Sequence, residues 1–79
     1  MTRKNIEHEI KKLISKCFNL EIKKIKTSLN SKNVKKWDSI GQIRLILMIE
    51  SKFKIKINSK KYSEMNSLNF IVNYISKST

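Results

Sequence analysis

Few side chains in this sequence could do chemistry: His8, Cys17, and a serine, Ser39, that follows Asp38 at the head of an apolar run. A serine hydroxyl is a weak nucleophile until an adjacent base activates it. Neither the lone His8 nor a paired carboxylate stands near Ser39 in the sequence, and with Gly41 as the single glycine no phosphate-cradling loop can be built. One cysteine permits neither an intramolecular disulfide nor a Cys-x-x-Cys metal or redox site. The inventory therefore argues against an enzyme and against a bound metal. Any reaction at Ser39 must be performed by another protein. The competing, purely structural interpretation is that Asp38-Ser39 caps a helix: Ser39 with Gln42 fits a capping box, and Asp38 is an equally good N-cap.

The elements that would position Ser39 follow from the apolar spacing. From Asn5 to Phe18, Ile6, Ile10, Leu13, Ile14 and Cys17 fall on one helical stripe. Cys17 on that stripe is expected to be a buried, inert thiol, and His8, between Glu7 and Glu9, a solvated one. Between Asn19 and Lys36 the period weakens and polar residues accumulate, leaving Ile22, Ile25 and Leu29 to pin a long connection. A loop of that length in so short a chain is usually functional or held by its own side chains.

After Trp37-Asp38-Ser39, the segment Ile40–Phe53 carries two adjoining stripes, Ile40, Ile43, Leu47 and Ile46, Ile49, Phe53. Only one can face the other helices, and the second should meet something else. Lys54-Ile55-Lys56-Ile57 alternates like a strand but has nothing to pair with, and is expected to link onward with Ile55 and Ile57 turned into the core. A short helical turn is expected near Lys60–Glu64. Ser67 can cap a last helix that buries Leu68, Ile71, Val72 and Ile75, with Phe70 and Tyr74 beside them.

A chain of 79 residues forms one domain, since a chain of this size buries only about 60% of its unfolded surface. Proline is absent, so the turn chemistry of an all-β fold is missing and helices are favoured. No apolar run approaches the roughly 20 residues of a membrane span, and no signal-peptide h-region follows Arg3 and Lys4. A soluble, cytoplasmic monomer is expected. The net charge of +12 makes nucleic acid or an anionic membrane a candidate partner. Yet the cations are overwhelmingly Lys, scattered along a chain rich in Lys, Asn, Ile and Ser, a bias that an AT-rich genome also produces.

Trp37-Asp38-Ser39-Ile40, continued by Leu45-Ile46-Leu47-Met48-Ile49-Glu50 and Phe53, resembles the acyl and peptidyl carrier proteins. In its Trp-Asp-Ser form it looks most like stand-alone carriers and peptidyl carriers. The family hallmark Asp-Ser-Leu here reads Asp-Ser-Ile. The resemblance runs from about Asn5 to Ile75, and is specific over Trp37–Ile57 and architectural elsewhere. It implies an all-α four-helix bundle with a long loop between the first two helices and a short third helix, a single carrier domain over residues 1–79 with its core at about 5–75.

The resemblance also implies that Ser39 is the attachment point of 4′-phosphopantetheine, transferred from coenzyme A by a phosphopantetheinyl transferase. A fatty, hydroxy or amino acid would be held on that arm as a thioester. It would be loaded by an acyl- or aminoacyl-adenylating ligase and passed to a downstream transferase or condensing enzyme. Asp38, Ile40, Ile43, Arg44, Leu47 and Glu50 then become partner-docking residues, Asp38 aiding the transferase, and Trp37 closes the loop over the helix start. Leu45, Ile46, Ile49 and Phe53 would be largely core.

Carriers of fatty-acid synthesis present carboxylates on the second helix, whereas this chain has Arg44 and Lys52 there, with Glu50 as the helix's lone acid. Like charges at a docking face suppress wrong partners, so a dedicated pathway with an acidic-faced partner is expected. The alternative of another class is a small basic helical module that binds nucleic acid. Its affinity should fall with salt at a log–log slope of about −0.9 per phosphate contacted.

Overall fold

The computed structural model describes residues 2–78. Helix α1 (Arg3–Phe18) begins where the Thr2 hydroxyl accepts the Asn5 amide at 3.2 Å, and ends at Asn19, whose left-handed φ of 56° turns its N–H back to the Ser15 carbonyl. Its buried face is Ile6, Ile10, Ile14 and Phe18, a strict i, i+4 row. Leu13 and Cys17, expected on the buried stripe, flank it and are partly exposed. The row selects Phe18 instead because its aromatic ring is caught by the loop that follows.

Helix α2 (Ser39–Phe53) and helix α3 (Leu68–Ser78) both pack against α1. The Ser67 hydroxyl accepts the Phe70 amide at 3.1 Å, capping α3 as expected, and Leu68, Ile71, Val72 and Ile75 are buried. The third helix of the bundle is a 3₁₀ helix, Ser59–Glu64, opened by the Asn58 side chain on the Lys60 amide. It delivers Met65, fully buried, to the core. Together these give the four-helix, all-α arrangement expected from the sequence, with no strand among the described residues.

The connection from α1 to α2 is held at several points. A single 3₁₀ turn, Ile22–Lys24, leads to Ile25, Val34 and Trp37, each less than a tenth exposed, with Leu29 partly buried. Ile22 is not the anchor expected, since it is 38% exposed. The 3₁₀ turn swings it outward and brings Ile25 in. Backbone bonds tie the loop to the start of α3: Ser31 N–H to the Asn66 carbonyl at 2.8 Å, and Leu68 N–H to the Leu29 carbonyl at 2.9 Å. The polar residues of the loop serve its own backbone. Asn30 accepts the Lys32 amide at 2.8 Å, and Asn33 accepts the Asn30 amide at 3.1 Å.

Beyond α2, Lys54 adopts a left-handed φ of 54° and ends the helix. Ile57 is buried while Ile55 is only partly so. The buried side chains form one continuous cluster, each large aliphatic member contributing about 1.5–3 kcal/mol of transfer free energy.

Candidate functional site

The two capping possibilities at the head of α2 are resolved in favour of Asp38. Its backbone is extended (φ −95°, ψ −168°), and its carboxylate accepts the Gly41 amide at 2.8 Å. Ser39 is therefore the first helical residue and not the cap. The capping box that Ser39 and Gln42 could have formed is absent, because the Gln42 side chain turns away and donates to the Tyr62 carbonyl of the 3₁₀ helix.

These assignments leave the Ser39 hydroxyl exposed and without a hydrogen bond to any described residue. The amides of Ser39 and Ile40 lie in the first turn, where no intrahelical acceptor exists and the helix dipole favours negative charge.

Ser39 opens onto a groove of about 440 Å³ between the α2 start, the loop and the 3₁₀ helix. Ser31, Gln42, Ser63 and Asn66 line its polar side, with Trp37, Ile43 and Tyr62 on the apolar side. Behind the serine, Trp37 is 3% exposed and stacks on Phe18 with ring centroids 5.3 Å apart. The Trp37 backbone N–H also closes a turn onto the Val34 carbonyl at 3.0 Å. The indole thus fastens the end of the loop to α1 immediately before the capping residue, closing the loop over the helix start.

Gly41 is a positioning residue that the sequence reading missed. A Cβ there would collide with the Lys36 carbonyl oxygen and lie 2.9 Å from Phe18 Cε1. Only a glycine lets α2 approach the loop and the Phe18 ring this closely. The available signal was the lone glycine of the chain two residues after Ser39, inside a helical pattern where glycine costs about 1 kcal/mol.

Along α2, Leu45, Ile46 and Ile49 are fully buried and Phe53 packs partly against the core. The other stripe, Ile40, Ile43 and Leu47, is 70%, 50% and 57% exposed. Arg44 is exposed beside it.

Glu50 does not join that face. Its carboxylate accepts the Ile57 amide at 2.8 Å and is half-buried, so it braces the link after α2. Lys52 likewise faces α1, pairing with Glu9 at 3.3 Å. That contact, ahead of Lys12, holds the Glu9 carboxyl below its ordinary range.

Cys17, partly buried, points its thiol toward the Gly41 carbonyl at 3.8 Å. Burial pushes this thiol above its usual range, with the Arg44 guanidinium pulling the other way. His8 is exposed. No cluster of His, Cys, Asp and Glu able to hold a metal occurs among the described residues. None of their helices is long and apolar enough to cross a membrane.

No protein-family model matches the chain. It is, however, 32% identical over 71 residues to an acyl carrier protein of Buchnera aphidicola subsp. Schizaphis graminum (strain Sg), a match that covers 90% of this chain and 90% of that protein. The similarity thus extends across α1, the loop, α2 and α3 together, well beyond the Asp-Ser motif. A protein of this kind carries intermediates for enzymes and is not itself an enzyme. With this similarity and the four-helix arrangement, the chain belongs to the acyl carrier protein family.

Proposed function

We propose that this carrier holds acyl or aminoacyl intermediates as thioesters on a 4′-phosphopantetheine arm attached through Ser39, and presents them to the enzymes of a dedicated biosynthetic pathway. The observation that carries this reading is the release of Ser39 from capping. Because Asp38 satisfies the Gly41 amide, the Ser39 hydroxyl stays exposed and unengaged at the rim of a groove.

The surroundings suit a phosphodiester. The Ser39 and Ile40 amides at the positive end of α2 can receive its oxygens, and Ser31, Ser63 and Asn66 can hydrogen-bond an amide-bearing chain leaving along the groove. When bound, the arm supplies the thiol that esterifies the cargo. Cys17 is unsuited to that task because its thiol is partly buried and held protonated. A phosphopantetheinyl transferase, an adenylating ligase and a downstream transferase or condensing enzyme are the partners this role requires.

The test is loading. Protein pre-treated with coenzyme A and a phosphopantetheinyl transferase is offered ATP and a panel of adenylating ligases with fatty, hydroxy or amino acid substrates. The expected result is a mass increase of one acyl group with at least one ligase, removed by neutral hydroxylamine as a thioester is. An adduct resistant to hydroxylamine, or no adduct from ligases that load other carriers, would contradict the proposal.

A further inference from the structure

Outside α2, one large apolar side chain among the described residues is exposed: Ile22, on the 3₁₀ turn that follows α1. It borders a hollow of about 430 Å³ formed with α1 and the last turn of α2. Leu13, partly buried, is the other apolar wall, and Lys12, Lys16 and Lys52 stand around the opening. Lys23 and Lys24, next to Ile22 in the turn, are exposed as well.

Charge on this face is unequal. Glu9 is the one carboxylate of the hollow, and it pairs with both Lys12 and Lys52, at 3.6 and 3.3 Å. Glu21, exposed beside Ile22, is the second acid. Lys16, Lys23 and Lys24 have no ion-pair partner among the described residues. Five lysines therefore stand against two glutamates around an isoleucine open to solvent.

We infer that this face docks the protein peripherally on an anionic lipid surface, with Ile22 entering between headgroups and the five lysines meeting their phosphates. An exposed apolar side chain gains from an acyl layer and gains nothing from a phosphate backbone. Nucleic-acid sites draw on guanidinium forks and aromatic stacking, and this face has neither an arginine nor an aromatic ring. The net charge of +12 adds attraction to an extended anionic plane from lysines outside the face, which a local acidic patch on a protein does not collect. Docking in this way leaves Ser39 free, because Lys52 stands thirteen residues beyond it on α2, about 20 Å along the axis. The inference does not depend on the modification of Ser39.

The test is partition of the unmodified full chain onto vesicles of phosphatidylcholine, with and without phosphatidylglycerol. Binding should require phosphatidylglycerol and fall steeply as salt is raised from about 50 to 300 mM, in keeping with the shorter screening length. Each lysine near an anionic surface is worth about fivefold in partition. The Lys16→Glu, Lys23→Glu variant should therefore lose about 25-fold or more. The Lys32→Glu, Lys35→Glu variant makes the same change in net charge at exposed positions further along the loop, and should lose less than about fivefold, the worth of one lysine. Ile22→Ser should lose about threefold or more. In the ¹⁵N-labelled chain, nitroxide-labelled lipid should broaden the amides of residues 12–16, Ile22–Lys24 and Lys52 before that of Ser39. All these substitutions are at exposed positions, and each variant's own spectrum reports that it remains folded.

Equal losses in the two double variants would reduce the binding to diffuse charge and overturn the inference. So would indifference to Ile22→Ser, broadening that starts elsewhere, or equal partition onto phosphatidylcholine alone. Tighter binding of the same face to a single-stranded oligonucleotide or a glutamate-rich helical peptide than to the vesicles would also overturn it.

Discussion

Trp37→Ala is expected to destabilise the fold by about 3–5 kcal/mol, the range for emptying a buried large aromatic site. The indole is 3% exposed and stacked on Phe18. Its loss leaves a cavity between the loop and α1 which the backbone, fixed to α3 through Ser31 and Leu68, cannot readily close. Against a total stability of roughly 0.05–0.15 kcal/mol per residue, this is a large fraction of what holds the domain together.

Trp37→Phe separates packing from hydrogen bonding. The indole N–H is buried with no partner among the described residues, so removing it forfeits no bond, and the phenyl ring preserves part of the stack. The phenylalanine variant should therefore retain well over half of the stability lost by the alanine variant. Denaturant titration of the three proteins decides this. Near-equal stability of the wild type and the alanine variant would show that the loop is not fastened through Trp37.

Gly41→Ala sets two effects of opposite sign against each other. Helix propensity alone favours alanine by about 1 kcal/mol. The added methyl, however, would meet the Lys36 carbonyl oxygen, a backbone atom, as well as Phe18 Cε1 at 2.9 Å. Overpacking of this kind costs typically about 1–3 kcal/mol, occasionally more, and it exceeds the propensity gain here because a backbone carbonyl cannot rotate aside as a side chain would. Subtracting the propensity gain leaves a net destabilisation of up to about 2 kcal/mol, or up to roughly 8–16 °C in melting temperature for a domain of this size. The strain falls two residues from Ser39, within the same turn of α2, so modification by a transferase should also slow. A raised melting temperature would mean that propensity wins and that the close approach at Gly41 is dispensable.

What could be read in the residues was what depends on local spacing. Ile6, Ile10 and Ile14 on the buried face of α1, the buried face of α3, the Ser67 cap and the division of α2 into a covered and an uncovered stripe all follow from a 3.6-residue period and cap chemistry. What the residues alone left open or misplaced has a different origin. Asp38 and Ser39 are equally good caps in isolation, and what decides between them is the extended backbone at Asp38 with its carboxylate on the Gly41 amide.

Glu50 looks like a surface acid until Ile57, seven residues further on, is folded back with its amide in need of an acceptor. Ile22 and Ile25 are the same residue type three apart, and only the 3₁₀ turn between them selects which is buried. Met65 entered no periodic pattern because it follows a 3₁₀ helix rather than an α-helix, and Gly41 matters only because the loop passes over it. Each of these depends on a contact between segments, which spacing along one segment does not encode.

The most direct test of the central claim is the intact mass of wild type and Ser39→Ala after incubation with coenzyme A and a broad-specificity phosphopantetheinyl transferase. Ser39 is exposed and its hydroxyl has no partner among the described residues, so the alanine variant should fold as the wild type does. The account predicts a gain of one phosphopantetheinyl group in the wild type and none in Ser39→Ala. An unmodified wild type with several transferases, or equal modification of the alanine variant, would contradict it.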